Sequence, residues 1–273
     1  MIDDPRVPDL MKAAAERAIM PRWRALGAGD VRVKVESDPD DLVTVADLEA
    51  EDIIAEGLAR IRPDAVVVGE EAVAADPSLV QRLGEFPAYW LIDPIDGTGN
   101  FVAGSPDFGV MVALVEDGVA SAGWIWLPVT QRLAVAQRGA GARLDGGRVD
   151  VAAHPAREIG SMRGWIAARS LPEAVREHIR RDAEDLCSQP APMSAAIGYV
   201  RLLDGGSDVA FFWRSYPWDH VPGALILDEA GGAALRLDAT AYDPADGRTG
   251  LLAVRDRRTW GGLRAMLLGT DEI

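Results

Sequence analysis

Apolar and polar positions alternate along this chain with two periods. Over residues 44–61, Ala50, Ile53, Ile54, Gly57, Leu58 and Ile61 recur in steps of three and one, which predicts an amphipathic helix. Residues 9–26 read as an Ala-rich helix that kinks or ends near Pro21. Short β-branched or aromatic runs at 65–68 and 88–92 read as strands, each stopping at acids: Glu70-Glu71 after the first, Asp93 after the second. Residues 108–116 and 119–127 flank Asp117-Gly118, a pair suited to a type I′ hairpin turn, and 133–137 adds a third antiparallel strand. The Gly-rich stretch 139–148 reads as a turn or connection and as the boundary between two subdomains.

Beyond that boundary strands at 163–167, 208–213, 233–237 and 251–254 interleave with helices at 172–186, 194–203, 219–230 and 257–268. Interleaving of this kind predicts an α/β or layered α+β protein. The expected division is residues 1–145 and 146–273, acting as one catalytic unit.

Composition narrows the function. Acidic residues number 43 against 28 basic, a net charge of −15, which argues against a nucleic-acid binder and against docking on an anionic membrane. The uncharged run 118–131 contains Pro128 and is shorter than the roughly 20 apolar residues a spanning helix needs. The opening MIDDPRVPDLMK has two acids and a proline where a secretory leader has basic and apolar residues. Cys187 is the one cysteine, so no internal disulfide forms. These features together predict a soluble cytoplasmic protein. Several chemistries fail on inspection: Lys12 and Lys34 are the only lysines and neither follows a glycine, so no Walker A loop exists. His154, His178 and His220 lack HExxH spacing, and neither GxGxxG nor GxSxG occurs.

What remains is acidic. Asp93-Pro94-Ile95-Asp96-Gly97-Thr98 follows an apolar strand, and a carboxylate there stands at the sheet end where α/β proteins bind ligands. Pro94 cannot extend a strand ladder, so the chain is expected to turn at it and bring Asp96 back toward Asp93. Gly97 and Thr98 offer backbone N–H groups at a bend, which suits an anion. Converging carboxylates without sulfur or imidazole suit a hard cation such as Mg²⁺. The three-residue aspartate spacing differs from the two-residue spacing of haloacid-dehalogenase phosphatases. Taken singly each element also has a plain structural reading: a turn for 93–98, a solvated turn for Glu70-Glu71, and helix capping for Asp47 and Asp219.

The set, in order, resembles the inositol monophosphatase family. The resemblance rests on Asp41-Leu42-Val43-Thr44-Val45-Ala46-Asp47, Gly69-Glu70-Glu71, the Asp93–Thr98 run, Trp218-Asp219 and Glu229-Ala230-Gly231-Gly232, and it covers about 9–268. It implies a layered αβαβα sandwich, a homodimer, and a Mg²⁺-dependent phosphomonoesterase acting on a small phosphorylated metabolite with two or three Mg²⁺ per site. By motif, Glu70, Asp93 and the Ile95 carbonyl would hold a first ion, and Asp93, Asp96 and Asp219 a second. Thr98, bonded to Asp47, would work with Glu70 to position and activate the attacking water. Gly97 and Thr98 would bind phosphate oxygens, while Asp96, Phe212 and Asp219 would face the substrate.

Some positions depart from the family pattern. Gly99 replaces a common Thr, and Lys34 lies near where a family lysine stands, although Val35-Glu36-Ser37 matches poorly. Phe212 occupies the place of an acid that binds an inositol hydroxyl, so the ester is not fixed. Beside myo-inositol 1-phosphate stand histidinol phosphate, fructose 1,6-bisphosphate and 3′-phosphoadenosine 5′-phosphate. A rival of another class is a non-catalytic binding protein on the same fold. Such a relic would be free to lose Glu70, Asp93, Asp96, Thr98 or Asp219, and all five are present.

Overall fold

The computed structural model describes residues 2–27, 29–35, 38–153, 157–167, 171–182, 186 and 189–269. Cys187, His154 and residues 36–37 lie outside them. Helix α1 (Arg6–Ala14) passes into a π-helical turn, Ala15–Ile19, so the helix expected over 9–26 ends just before Pro21. A hairpin that the periodicity did not predict follows, β1 (Val31–Val35) with β2 (Asp38–Thr44). Helix α2 (Val45–Ile61) is the predicted striped helix, begun by a capping box between Thr44 and Asp47. Its Gly57 lets α1 come close, since a Cβ there would stand 2.3 Å from Leu10.

Strand β3 (Val66–Gly69) leads into α3 (Glu70–Ala75), so Glu70 and Glu71 open a helix rather than sit in a turn. After a short α4 (Ser78–Gln81) comes β4 (Ala88–Asp96), buried along its whole length. Here the expectation for Pro94 is corrected. The strand does not turn at Pro94 but continues, pairing Asp93 with Met111 and then Asp96 with Gly109. The extra residue between those pairs is a bulge, which tolerates the missing N–H of proline. The turn comes at Gly97, whose φ of +90° is in the left-handed region, and α5 (Thr98–Val102) follows.

Strands β5 (Gly109–Glu116) and β6 (Val119–Leu127) form the predicted hairpin, with Asp117 and Gly118 both at positive φ. After β7 (Arg132–Gln137), the stretch read as a turn carries β8 (Gly141–Leu144) and β9 (Gly147–Val149). Its glycines do turn the chain, and the turns join two more hairpins. One seven-stranded sheet, β3 to β9 in sequence order, therefore reaches Val149, past the 145/146 division.

A second sheet has the order β10 (Gly164–Ala167), β11 (Val209–Phe212), β13 (Leu251–Val254), β12 (Ala233–Arg236). Between its strands run α6 (Glu173–Asp182), α7 (Ala195–Asp204) and α8 (Pro217–Glu229), and α9 (Trp260–Leu268) closes the chain. Helices α1 and α2 cover one face of the large sheet through Met11, Ile54, Leu58, Trp90, Val112 and Trp124. Helices α7 and α8 fill the space between the two sheets with Tyr199, Leu202 and Ile226, which share a core with Phe212 of β11. The far face of the small sheet carries α6 and α9 through Ile179, Phe211, Leu252 and Leu263. The result is the five-layer αβαβα sandwich. With both faces of β4 and β5 covered, alternate residues point into different cores and the strands read as unbroken apolar runs.

Candidate active site

The bulged end of β4 delivers the first carboxylates. Asp93 is 2% exposed, and its Oδ1 is buried with no hydrogen-bond partner. Asp219 reaches the same point from the first turn of α8. That helix begins at Pro217 after Tyr216, so Asp219 is not its N-cap, contrary to the capping reading. Asp93, Asp96 and Asp219 each offer an oxygen within 4.8 Å of the others. Burial, with the charges of Glu70 and Asp96 nearby, pushes Asp93 and Asp219 well above the usual carboxylate range. Asp96 rises only to about 6, because hydrogen bonds to its charged form offset burial.

Those bonds come from the N-terminus of α7. The Ser194 hydroxyl donates to Asp96 Oδ2, and the N–H groups of Ala195 and Ala196 donate to the same carboxylate at 3.0 and 2.7 Å. Ser194, read from sequence only as a helix start, thus fastens a site aspartate from across the chain. No local pattern marks that contact.

Asp47 stands on the buried face of α2. Its Oδ2 accepts from the Thr44 N–H and hydroxyl at 2.8 and 2.5 Å, and its Oδ1 accepts from the Thr98 hydroxyl at 3.1 Å. The capping reading and the site reading of Asp47 are both realised. The Thr98 Oγ1 also lies 3.0 Å from the Ile95 carbonyl oxygen, so one proton has two acceptors. Burial raises Asp47 to about 6, with the Thr44 bonds working against the rise.

Glu70 lines the same pocket but stands outside the three-carboxylate set. Its Oε1 is 2.7 Å from Lys34 Nζ, which also meets Glu71 Oε1 at 2.6 Å. Burial works against the ammonium, yet the two glutamates carry its pKa above the ordinary lysine value. Burial likewise lifts Glu71 to about 8 despite Lys34. Behind them Glu51, not singled out by sequence, accepts from the N–H groups of Glu71 and Ala72, both at 2.8 Å. A signal existed: Asp47 and Glu51 fall on the same stripe as Ile54 and Leu58.

The pocket holds about 580 Å³ and takes lining from both sheets and from the β1–β2 hairpin through Asp41 and Leu42. Phe212 borders it but is 4% exposed, its ring 4.9 Å from Trp165 and 4.4 Å from His220. His220 is buried with Nδ1 3.1 Å from the Tyr199 hydroxyl, and burial lowers its pKa to about 3, so it is a neutral packed group. Gly99, by contrast, is exposed, with open space where a Cβ would stand.

Two buried acids and the half-buried Asp219, with convergent oxygens and one oxygen of Asp93 unpartnered, form a donor set for a hard divalent cation beside a hydroxyl–carboxylate relay and a bend that offers N–H groups. That is the outline of a metal-dependent phosphoester hydrolase. The inositol monophosphatase family model matches residues 9–266, and the chain belongs to that family. An inositol-1-monophosphatase of Mycobacterium leprae is 36% identical over 219 residues, 76% of this chain and 72% of that one. A fructose-1,6-bisphosphatase/inositol-1-monophosphatase of Thermotoga maritima is 32% identical over 194 residues, 70% of each. The crystal structure of the extragenic suppressor protein suhB from Bartonella henselae superposes with a TM-score of 0.80 at 26% identity, covering 97% of this chain and 99% of that one. The protein is therefore a phosphoric monoester hydrolase of a family that uses divalent metal ions and acts on small phosphorylated substrates. Among the described residues no helix is long and apolar enough to cross a membrane.

Proposed function

We propose that this protein is a Mg²⁺-dependent phosphomonoesterase that transfers the phosphoryl group of a small metabolite ester to water, as inositol monophosphatases do with myo-inositol 1-phosphate. The observation that carries the reading is the orphaned, buried Oδ1 of Asp93 beside oxygens of Asp96 and Asp219 within 4.8 Å. An all-oxygen donor set favours Mg²⁺ over softer ions. Asp93, Asp96 and Asp219, with Glu70 and the Ile95 carbonyl, would hold two or three ions. Once bound, they supply positive charge against the phosphate dianion and lower the pKa of water.

The chain's own groups do the rest. Thr98 accepts a hydrogen from the attacking water while passing its own proton toward Asp47, which is ionised near neutrality. Glu70, which lines the same pocket, helps to orient that water. The N–H groups of Gly97 and Thr98, at the left-handed turn that opens α5, take the phosphate oxygens. Asp96 and Asp219 also face the ester's alcohol, with Phe212 as an apolar floor. Residues 1–145 carry most of these groups and 146–273 carry Asp219, and we read the two parts as one catalytic unit, present in the cytoplasm as a homodimer.

Phosphate release with Mg²⁺ from myo-inositol 1-phosphate, histidinol phosphate, fructose 1,6-bisphosphate and 3′-phosphoadenosine 5′-phosphate tests the reading, with Asp93→Asn as the blank. Mg²⁺-dependent release that the variant lacks supports it. No release above the variant would favour a non-catalytic binding protein on this fold.

A further inference from the structure

Arg236, the last residue of β12, is a charged group that the chemistry above leaves unused. Its side chain is 3% exposed, a costly place for a guanidinium unless its donors are matched. Nη1 donates to the Ser215 hydroxyl at 2.7 Å and to the Arg248 carbonyl at 2.8 Å. Nη2 donates to Asp246 Oδ1 at 2.5 Å and to the Asp243 carbonyl at 3.3 Å. Tyr242 covers one face, its ring centroid 4.4 Å from the guanidinium carbon.

These bonds fasten the chain between β12 and β13 to the turn between β11 and α8. The Tyr242 hydroxyl donates to the Ser215 carbonyl at 2.9 Å, and the Ser215 hydroxyl donates to the Arg248 carbonyl at 3.0 Å. The Gly250 N–H donates to the Trp213 carbonyl at 2.8 Å, and His220 hydrogen-bonds the Arg214 backbone. Three successive residues, Trp213, Arg214 and Ser215, are thus each held by the main chain. The side chains on either side of Ser215, those of Arg214 and Tyr216, line the pocket.

Arg214 is the one lysine or arginine among the described residues that line the pocket, against five carboxylates. An exposed guanidinium has many rotamers to lose on binding, so a fixed backbone and a covered face make it a better donor. Its guanidinium carbon lies 5.0 Å from the centroid of the Tyr216 ring, which in turn stacks on Trp218 at 5.1 Å. Resting on the phosphomonoesterase reading, we infer that Arg236 is a positioning residue for the reaction. Acting through Ser215, it holds Arg214 where the guanidinium donates to an acceptor oxygen of the ester. Asp219 does not depend on this tether, because Trp218, Val221, Ile226 and Leu227 bury α8 in the cores.

Steady-state kinetics test this in Ser215→Ala, Arg214→Gln and the double variant, on whichever of the four esters above is hydrolysed fastest. Each single variant should raise KM about tenfold with kcat little changed, the mark of lost ground-state binding. The double variant should be no worse than Arg214→Gln alone, since the hydroxyl acts through that guanidinium. Ser215→Thr, which keeps the hydroxyl, should restore KM, and calorimetry should find Mg²⁺ binding unchanged in Ser215→Ala. Arg236→Lys keeps a charge but not the planar fork, and should match Ser215→Ala. If Arg236→Lys does not fold, the two Ser215 variants decide. A wild-type KM in Ser215→Ala, multiplied effects in the double variant, or a joint loss of kcat and Mg²⁺ affinity would overturn the inference. If no ester is hydrolysed, the phosphatase reading fails, and hydrogen exchange decides the tether alone. Faster exchange across 213–217 in Ser215→Ala than in wild type supports it, and unchanged exchange overturns it.

Discussion

Glu51 and Gly69 share one small space: a Cβ on Gly69 would stand 2.1 Å from the Glu51 carboxyl carbon. With φ of −100°, Gly69 is there for lack of bulk rather than for backbone freedom. The room it leaves lets Glu51 reach the first N–H groups of α3 and so fixes where Glu70 enters the pocket. Gly69→Ala should cost about 1–3 kcal/mol, a fall in Tm of roughly 2–12 °C for a chain of this size. Mg²⁺ activation should shift to higher concentration as Glu70 moves. Thermal unfolding and a Mg²⁺ titration check both effects, and an unchanged Tm would mean that the carboxylate is not held there.

Asp93→Asn removes the charge central to the acidic set. Activity should fall by orders of magnitude, and calorimetry should show weaker Mg²⁺ binding. Burial and neighbouring charges oppose ionisation of Asp93, so the metal-free variant should melt higher than metal-free wild type in mildly alkaline buffer. A variant as active as wild type would refute the proposed role.

Thr98→Ala deletes the hydroxyl between Asp47 and the expected water while leaving the N–H groups of the bend in place. We expect a loss of about 10²–10⁴ in kcat, the usual worth of a positioned proton-transfer group, with KM changed little. Thr98→Ser should restore most of the rate. Steady-state kinetics separate the two parameters, and an effect on KM alone would assign Thr98 to binding.

The raised carboxylates also set a pH dependence. Folded, metal-free protein keeps protons on Asp93, Asp96 and Asp219 that the unfolded chain releases above about pH 4. Their contribution to stability is full below that pH and is lost as pH rises through about 6 and beyond. A divalent ion binds the deprotonated forms. The gain in Tm on adding Mg²⁺ should therefore be small near pH 5 and larger near pH 8. Equal gains at both would show that these groups do not bind the ion.

Much of the architecture was legible because it is encoded locally. The stripe from Ala50 to Ile61 predicts α2, Asp117-Gly118 predicts the β5–β6 hairpin, and interleaved strands and helices predict the layered class. Local rules misled where tertiary pairing overrode them. Pro94 looked like a strand end, yet neighbouring β5 holds the chain in the sheet through a bulge. The glycines of 139–148 read as a turn or connection and show no strand pattern, yet β7 provides an edge on which β8 can pair.

By itself the sequence determined which acids stand at strand and helix ends, since apolar periodicity and turn chemistry depend on near neighbours alone. Only the tertiary structure decided which of them meet. Asp96 with Ser194, Asp47 with Thr98 and Lys34 with Glu70 are joined across long stretches of chain. Their meeting is settled by how two sheets and the helices between them pack. The same packing left Met193 and Tyr216 bare at the rim while burying Phe212 and His220 beneath it, because burial belongs to the layers and not to any residue's own sequence neighbours.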